Sequence, residues 1–454
     1  MTELYKRFSA SVVWNSLESI LYQALFLGHQ LLLFKVTDHA TYGLIGTVFS
    51  ITYLLVTITN FGFDVSISPF FTIATQNKQN FKNFFFMQLI PECCILAIIF
   101  ILIMCKHLFF TPWLTLPHSI DNMFFLLIGF LIFFEGAKKT LRMILQLAWL
   151  NHQTAVVEIA TIITYIGLVW TGYLMGHTIN LYLVFIPMII VSALSSLILF
   201  AFVYMYYQQL PDATSASTTL PLQWRILHSR FFNFLNQISH MVFSSNFLVP
   251  FFALFFGLGQ AGFLKLMATI AHAISTIVQK IFGISSNIIL SHLKHSSTQT
   301  KQDAFLMITN RLNQVLYGII IFFIINYKTI MRASEIDNNG ITWTIAYLFL
   351  IISLSENFFI AYEKFFITHE KSDYLCLFNL IVMSLLFYIM IHSHHFSAAT
   401  LLFIIIAVRI VAFSTLSIFS FYQWRIRPSL GMQPTYLIGS LVISVLFFMA
   451  ASFI

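Results

Sequence analysis

The sequence is short of charge, and that shortage excludes most protein classes at once. Only 9% of its 454 residues are Asp, Glu, Lys or Arg, whereas soluble globular domains carry about 25%. Cysteine is scarce too. Cys93, Cys94, Cys105 and Cys376 have neither zinc-site spacing nor the density of a disulfide framework. No Walker-type glycine loop is present, so neither ATP hydrolysis nor a bound cofactor is expected. The net charge of +7 comes from dispersed basic residues, and without a basic patch no nucleic-acid partner is expected. The histidines of His392-Ser393-His394-His395 and the pair His292 and His295 lack companion ligands, so no metal site is expected. A polar Met1–Val12 followed by a long apolar run argues against a cleaved leader.

What is there is apolar sequence from end to end: 59% hydrophobic residues, among them 52 phenylalanines, with a mean hydropathy of +0.87. Base composition of the coding sequence accounts for the phenylalanines as readily as an aromatic function does. Crossing a bilayer takes about 20 apolar residues in a helix. Thirteen such stretches are readable, beginning with Val13–Lys35 and Tyr42–Phe63. They include a long seventh at Ile226–Phe256, a polar-crowded ninth at Ala304–Asn326 and a last at Pro434–Ile454. The fold class is therefore an all-α polytopic membrane protein. Lys and Arg are retained on the cytoplasmic side of short loops. With the N-terminus inside and the C-terminus outside, most of the 23 basic residues fall on cytoplasmic ends and loops, and only Lys265 and Arg409 fall well within spans. Removing the ninth stretch would put Lys364, Lys371, Arg425 and Arg427 outside, so the charge pattern favours thirteen.

The longest polar connection, Gln208–Gln223, is rich in Ser, Thr and Pro and reads as a linker. It suggests an N-terminal six-helix lobe over 1–207, a cytoplasmic linker over 208–225 and a C-terminal lobe over 226–454 that carries one extra terminal helix. A faint repeat accompanies this division. Leu33-Phe34 followed by Ala40-Thr41-Tyr42-Gly43-Leu44 echoes Leu254-Phe255 followed by Gln260-Ala261-Gly262-Phe263-Leu264, which is the pattern of two pseudo-symmetric lobes.

Three segments carry a family resemblance. Tyr42-Gly43 closes the first turn, Asn60-Phe61-Gly62-Phe63 ends the second helix, and Gly259-Gln260-Ala261-Gly262-Phe263 opens the eighth. Together with the six-helix, linker, six-helix layout they resemble polysaccharide flippases of the Wzx type, although Asn60 stands where the family motif has aspartate. The resemblance implies the multidrug/oligosaccharidyl-lipid/polysaccharide exporter fold. It also implies an inner-membrane protein that moves polyprenyl-diphosphate-linked oligosaccharide for surface polysaccharide biosynthesis. Its partners would then be the bilayer and a lipid-linked oligosaccharide with an anionic diphosphate headgroup.

A charge in mid-bilayer costs about 2.5–3.5 kcal/mol on insertion scales, so those charges mark candidate sites. Arg409 stands near the middle of Ser397–Tyr422, with Glu356 as a partner by depth. Lys265 lies further toward the outer end of its span, where snorkelling is the alternative. His240 and His272 sit near mid-depth, either as core histidines or as titrating ones. In the first lobe Glu18, Glu92, Glu135 and Glu158 lie within spans, and Lys138, Lys139 and Arg142 share a helix face. Glu135 reads as an intrahelical partner of Lys138 and Lys139, which leaves Arg142 as the cation to receive a phosphate. The substrate-binding candidates are thus Arg409, Lys265, Arg142, His272 and His240. Glu18, Glu92, Glu158 and Glu356 are the candidates for coupling to a proton or sodium ion.

Two other transport readings share this fold, a lipid II flippase and a cation-coupled multidrug exporter. A membrane-embedded polymerase or ligase is the alternative from a different class. It is disfavoured because the outer loops, at most Cys105–Asn122 and Tyr327–Gly340, are short.

Overall fold

The computed structural model describes residues 2–63, 71, 74–104, 122–212, 220–241, 244–278, 299–300, 303, 305–306, 312, 316, 348–352, 354, 362, 366, 372–392 and 396–424. Among them the regular structure is helical throughout. The helices are α1 (Thr2–Val36), α2 (His39–Asn60), α3 (Lys78–Met104), α4 (Asn122–Leu147), α5 (Asn151–Leu174), α6 (Leu181–Gln208), α7 (Leu220–Met241), α8 (Ser245–Phe256), α9 (Leu258–Val278), α10 (Ser372–Ile391) and α11 (Ala398–Trp424). Seven helices among the described residues are long and apolar enough to cross a membrane. The chain is a polytopic membrane protein. Most of the ninth expected span, the tenth apart from a few residues, and the thirteenth lie outside the described residues.

Helix α6 shows what solvent the fold expects. Its outward residues are Leu194, Leu197 and Ile198, with Leu197 65% exposed, while Ser192, Ser195 and Ser196 face inward and are buried. Water would reverse that arrangement. Hydrocarbon permits it, because small hydroxyl residues let helices approach closely and satisfy their own hydrogen bonds inside. Ser196 bonds the carbonyl of Phe134 on α4 at 2.9 Å.

The chain divides into two compact units, residues 1–29 with 44–241, and residues 30–43 with 242–454. In the first, α4 and α5 pack along α6, and α3 packs against both α4 and α6. An apolar core of Phe63, Phe81, Phe84, Ile144, Leu145 and Leu199 joins them. In the second, α8 packs on α9 and α10 on α11.

The structure resolves the over-long seventh stretch. Ile226–Phe256 reads as one apolar run, but α7 ends at Met241 and α8 begins at Ser245, with Ser244 extended at its N-cap. The polar run Ser244-Ser245-Asn246 supplies the interruption, since Ser and Asn favour caps over helix interiors. The unit boundary falls at this break.

Each of the motif segments has a structural reason. Gly62 adopts φ +69°, following Phe61 at +48°. A β-carbon there would lie 2.6 Å from the carbonyl oxygen of Arg230 and 2.7 Å from the nitrogen of Phe234. Only glycine provides both the left-handed conformation and the close approach of α7. Within the second unit, Gly43 and Gly262 face one another. A β-carbon on Gly43 would run into the carbonyl of Leu258, and one on Gly262 would lie 2.5 Å from the carbonyl of His39. The contact is reciprocal: each glycine abuts the carbonyl four residues before the other. Structure therefore sets Gly43 opposite Gly262, joining two of the motif segments.

Candidate functional site

In the first unit, α4 carries Glu135, Lys138 and Arg142 at i, i+3 and i+7, a spacing that keeps all three on one face. Facing helices complete a buried network around them. Lys138 Nζ lies 3.2 Å from Glu135 Oε1 and 3.6 Å from Glu158 Oε2 of α5. The Arg142 guanidinium lies 2.5 Å from Glu18 of α1 and 3.6 Å from Glu158. Ser192 of α6 donates to Glu135. Glu92 of α3 approaches the same helix, accepting from Thr140 at 3.5 Å. Gly136 leaves room for it, since a β-carbon there would stand 2.8 Å from Glu92 Oε1.

The charge balance of this network is its main chemical property. Among the ion pairs of the described residues, with every group ionised, Glu18, Glu135 and Glu158 oppose Lys138 and Arg142, three negative charges against two positive. Glu92 adds a further carboxylate at its edge. One added monovalent cation neutralises the core of the network. Tyr22 of α1 and Tyr53 of α2, both half-buried, stand within electrostatic range of Glu135 and Glu158.

The expected first-unit residues thus converge: Glu18 and Glu158 meet at Arg142, and Glu92 borders the group. Arg142, expected to receive a phosphate, is held by two carboxylates that an incoming phosphate would have to displace.

In the second unit, Lys265 of α9 and Arg409 of α11 are both buried, 8% and 4% exposed. Arg409 donates to the main-chain carbonyl of Ile352 at 2.9 Å. Lys265, Thr269, His272 and Thr276 follow one another at i, i+4, i+7 and i+11, a polar stripe along an otherwise apolar helix. His272 is exposed on that stripe, 3.4 Å from Thr276 Oγ1. Glu356 and the side chain of His240 lie outside the described residues.

Two sites escaped the sequence reading. Arg230, counted there as a cytoplasmic loop cation, is 1% exposed. It donates to the carbonyls of Met87 at 2.8 Å, Phe61 at 3.3 Å and Asn60 at 3.4 Å, between the rings of Phe61 and Phe63. It therefore binds the C-terminal carbonyls of α2, where the helix dipole favours a cation. His29 is buried between Tyr165 and Trp170 of α5. Neither was legible locally, because every partner is more than 130 positions away.

No family model and no curated protein sequence matches the chain. Solved structures do. One is a multidrug resistance MATE family transporter of the MOP superfamily in its outward-facing conformation, at TM-score 0.63 and 12% identity over 93% of this chain and 96% of that one. The lipid II flippase MurJ in an inward closed conformation matches at TM-score 0.59 and 14% identity, over 100% of this chain and 98% of that one. A MOP superfamily transporter from Pyrococcus furiosus, described as having a binding pocket of reverse polarity, matches at TM-score 0.52 and 11% identity over 93% and 96%.

Proposed function

The chain has the fold of these transporters and flippases, and we propose that it is itself a flippase, moving polyprenyl-diphosphate-linked oligosaccharide across the cytoplasmic membrane by alternating access. The observation that carries this reading is the sign of the second unit's buried charge. Among the described residues the buried carboxylates, Glu18, Glu92, Glu135 and Glu158, all lie in the first unit beside the buried cations Lys138 and Arg230, whereas the buried charges of the second unit are the cations Lys265 and Arg409 alone.

A diphosphate needs fixed cations, because charge-assisted hydrogen bonds are about twice as strong as neutral ones. Lys265 and Arg409 would provide them, with Thr269, His272 and Thr276 as polar wall. His240 belongs to the same reading as a second imidazole. A cationic drug would be repelled by that unit, which favours an anionic substrate over the multidrug alternative. The carboxylate network, with one excess negative charge, would take the coupling cation at Glu18, Glu158 and Glu92. Glu356 is a further candidate for that role. Lipid II offers the same diphosphate chemistry, and the Tyr42-Gly43, Asn60–Phe63 and Gly259–Phe263 segments favour the polysaccharide branch. In this reading the N-terminus is cytoplasmic and the C-terminus extracytoplasmic.

The test is depletion of the protein in its native cell. The reading expects undecaprenyl-linked oligosaccharide to accumulate on the inner leaflet. Accumulation of lipid II instead would move the assignment to peptidoglycan synthesis.

A further inference from the structure

His29 is 2% exposed about two turns from the C-terminal end of α1, and its hydrogen bonds fix its chemistry. The indole nitrogen of Trp170 lies 3.1 Å from Nδ1. An indole N–H can only donate, so Nδ1 must accept and the neutral ring carries its proton on Nε2. Nε2 then donates to the Tyr165 hydroxyl 3.3 Å away. The ring is thus polarised in one direction, with a basic nitrogen toward Trp170 and an acidic N–H toward Tyr165.

Tyr165 lies seven residues beyond Glu158 on the buried face of α5, about 10 Å along the axis. His29 lies eleven residues beyond Glu18 on α1, about 16 Å along it. At those spacings Glu158 and Tyr165 share one helix face, as do Glu18, Tyr22 and His29. Tyr22 and Tyr53 are each within electrostatic range of Glu158, and Tyr165 lies within range of both. Among the described residues the titratable groups facing this path are Tyr165, Tyr22, Tyr53, Tyr173 against the Trp170 ring, and the network itself. On the far side, Trp170 is one turn from the end of α5, the outer end in the orientation proposed above.

We propose that His29, Tyr165 and Trp170 form a proton-transfer station that delivers the coupling ion, a proton, to the carboxylate network. The inference rests on the reading of that network as the coupling site. When the Trp170 indole turns aside, Nδ1 takes a proton from the outer side and the ring becomes an imidazolium. The Nε2–H bond then breaks as that proton passes to the Tyr165 oxygen. Tyr165 releases its own phenolic proton toward Tyr22, and a carboxylate of the network receives it. One proton enters and one leaves, and the ring is left neutral with its proton on Nδ1 until tautomerisation moves that proton to Nε2 and frees Nδ1 to accept from Trp170 again.

The experiment uses the full chain in proteoliposomes, with fluorescent undecaprenyl-diphosphate N-acetylglucosamine as the probe. Flipping is followed with and without an imposed pH gradient, in H2O and in D2O. Wild type is expected to accelerate with the gradient and to slow in D2O. His29→Gln and Tyr165→Phe are each expected to lose that acceleration by about a hundredfold or more, the scale of a positioned proton-transfer group. Trp170→Phe, which frees Nδ1, is expected to shift the acid limb of the rate profile to higher pH. If His29→Gln fails to fold, Tyr165→Phe and the isotope effect carry the test. Glu158→Gln separates the two claims. Acceleration retained in Glu158→Gln overturns the coupling site itself. Acceleration lost there but kept in both His29→Gln and Tyr165→Phe overturns the station alone.

Discussion

Replacing Arg142 with Gln should be far more damaging to the folded protein than replacing Glu158 with Gln. The two residues are direct partners at 3.6 Å, and the glutamate side chain is 3% exposed. The difference comes from the charge balance. Glu158→Gln leaves Glu18 and Glu135 opposite Lys138 and Arg142, a neutral set. Arg142→Gln leaves three carboxylates opposite Lys138 alone, and strips Glu18 of its 2.5 Å partner. Breaking a buried pair from one side costs about 3–5 kcal/mol, because the remaining charge is stranded in low dielectric. Removing one excess charge should cost under about 1 kcal/mol, the worth of a single net hydrogen bond. The double variant Glu18→Gln/Arg142→Gln removes both members of the closest pair and should recover most of the loss, a coupling of about 2–3 kcal/mol in a double-mutant cycle. Thermal unfolding in detergent, followed by intrinsic fluorescence, measures all four species. Arg142→Gln and Glu158→Gln equally destabilising, or single effects that simply add, would refute the charge-balance argument.

Three further outcomes follow from local geometry. Gly43→Ala and Gly262→Ala should each cost about 1–3 kcal/mol through overpacking, whereas Gly28→Ala and Gly167→Ala, with nothing within 4 Å of an added β-carbon, should be neutral or stabilising by the same thermal assay. Arg230→Lys should cost about 3 kcal/mol, since one ammonium cannot span the carbonyls of Asn60, Phe61 and Met87, and each hydrogen bond to a charged group is worth about 1.5–3 kcal/mol. Asp38 caps α2 through the Ala40 and Thr41 nitrogens at 3.0 and 2.9 Å and the Thr41 hydroxyl at 2.6 Å. The hydroxyl bond foremost holds its carboxyl below the usual range, so its contribution is complete above the ordinary carboxylate pKa and lost as pH falls through the lowered one. Asp38→Ala should therefore destabilise by about 1 kcal/mol at neutral pH, and the difference from wild type should shrink under acid titration.

The spans were legible because hydrocarbon imposes one pattern on any crossing helix, and Lys265 and Arg409 stood out because charge within such a pattern is rare. Both prove to be buried. What the sequence hid depends on partners distant along the chain. Glu135 was readable as an intrahelical partner of Lys138, and the structure adds Glu158 and Ser192 from other helices. Arg142 looked available because its acids come from α1 and α5. Arg230 looked like an orientation signal because its acceptors are main-chain carbonyls, which leave no trace in composition. The break between α7 and α8 was masked by apolar residues on both sides of a three-residue polar run. The Gly43–Gly262 contact was not readable from sequence, because the two glycines are far apart along the chain.

The central claim is that buried cations of the second unit hold an anionic diphosphate headgroup during flipping. Its most direct test compares reconstituted wild type with Lys265→Gln/Arg409→Gln, matched for folded protein, in the flipping of fluorescent undecaprenyl-diphosphate oligosaccharide. The double variant should lose at least about tenfold in rate, since removing one partner of a buried, hydrogen-bonded charge pair costs about 2–5 kcal/mol. A double variant that flips the probe at the wild-type rate would contradict it.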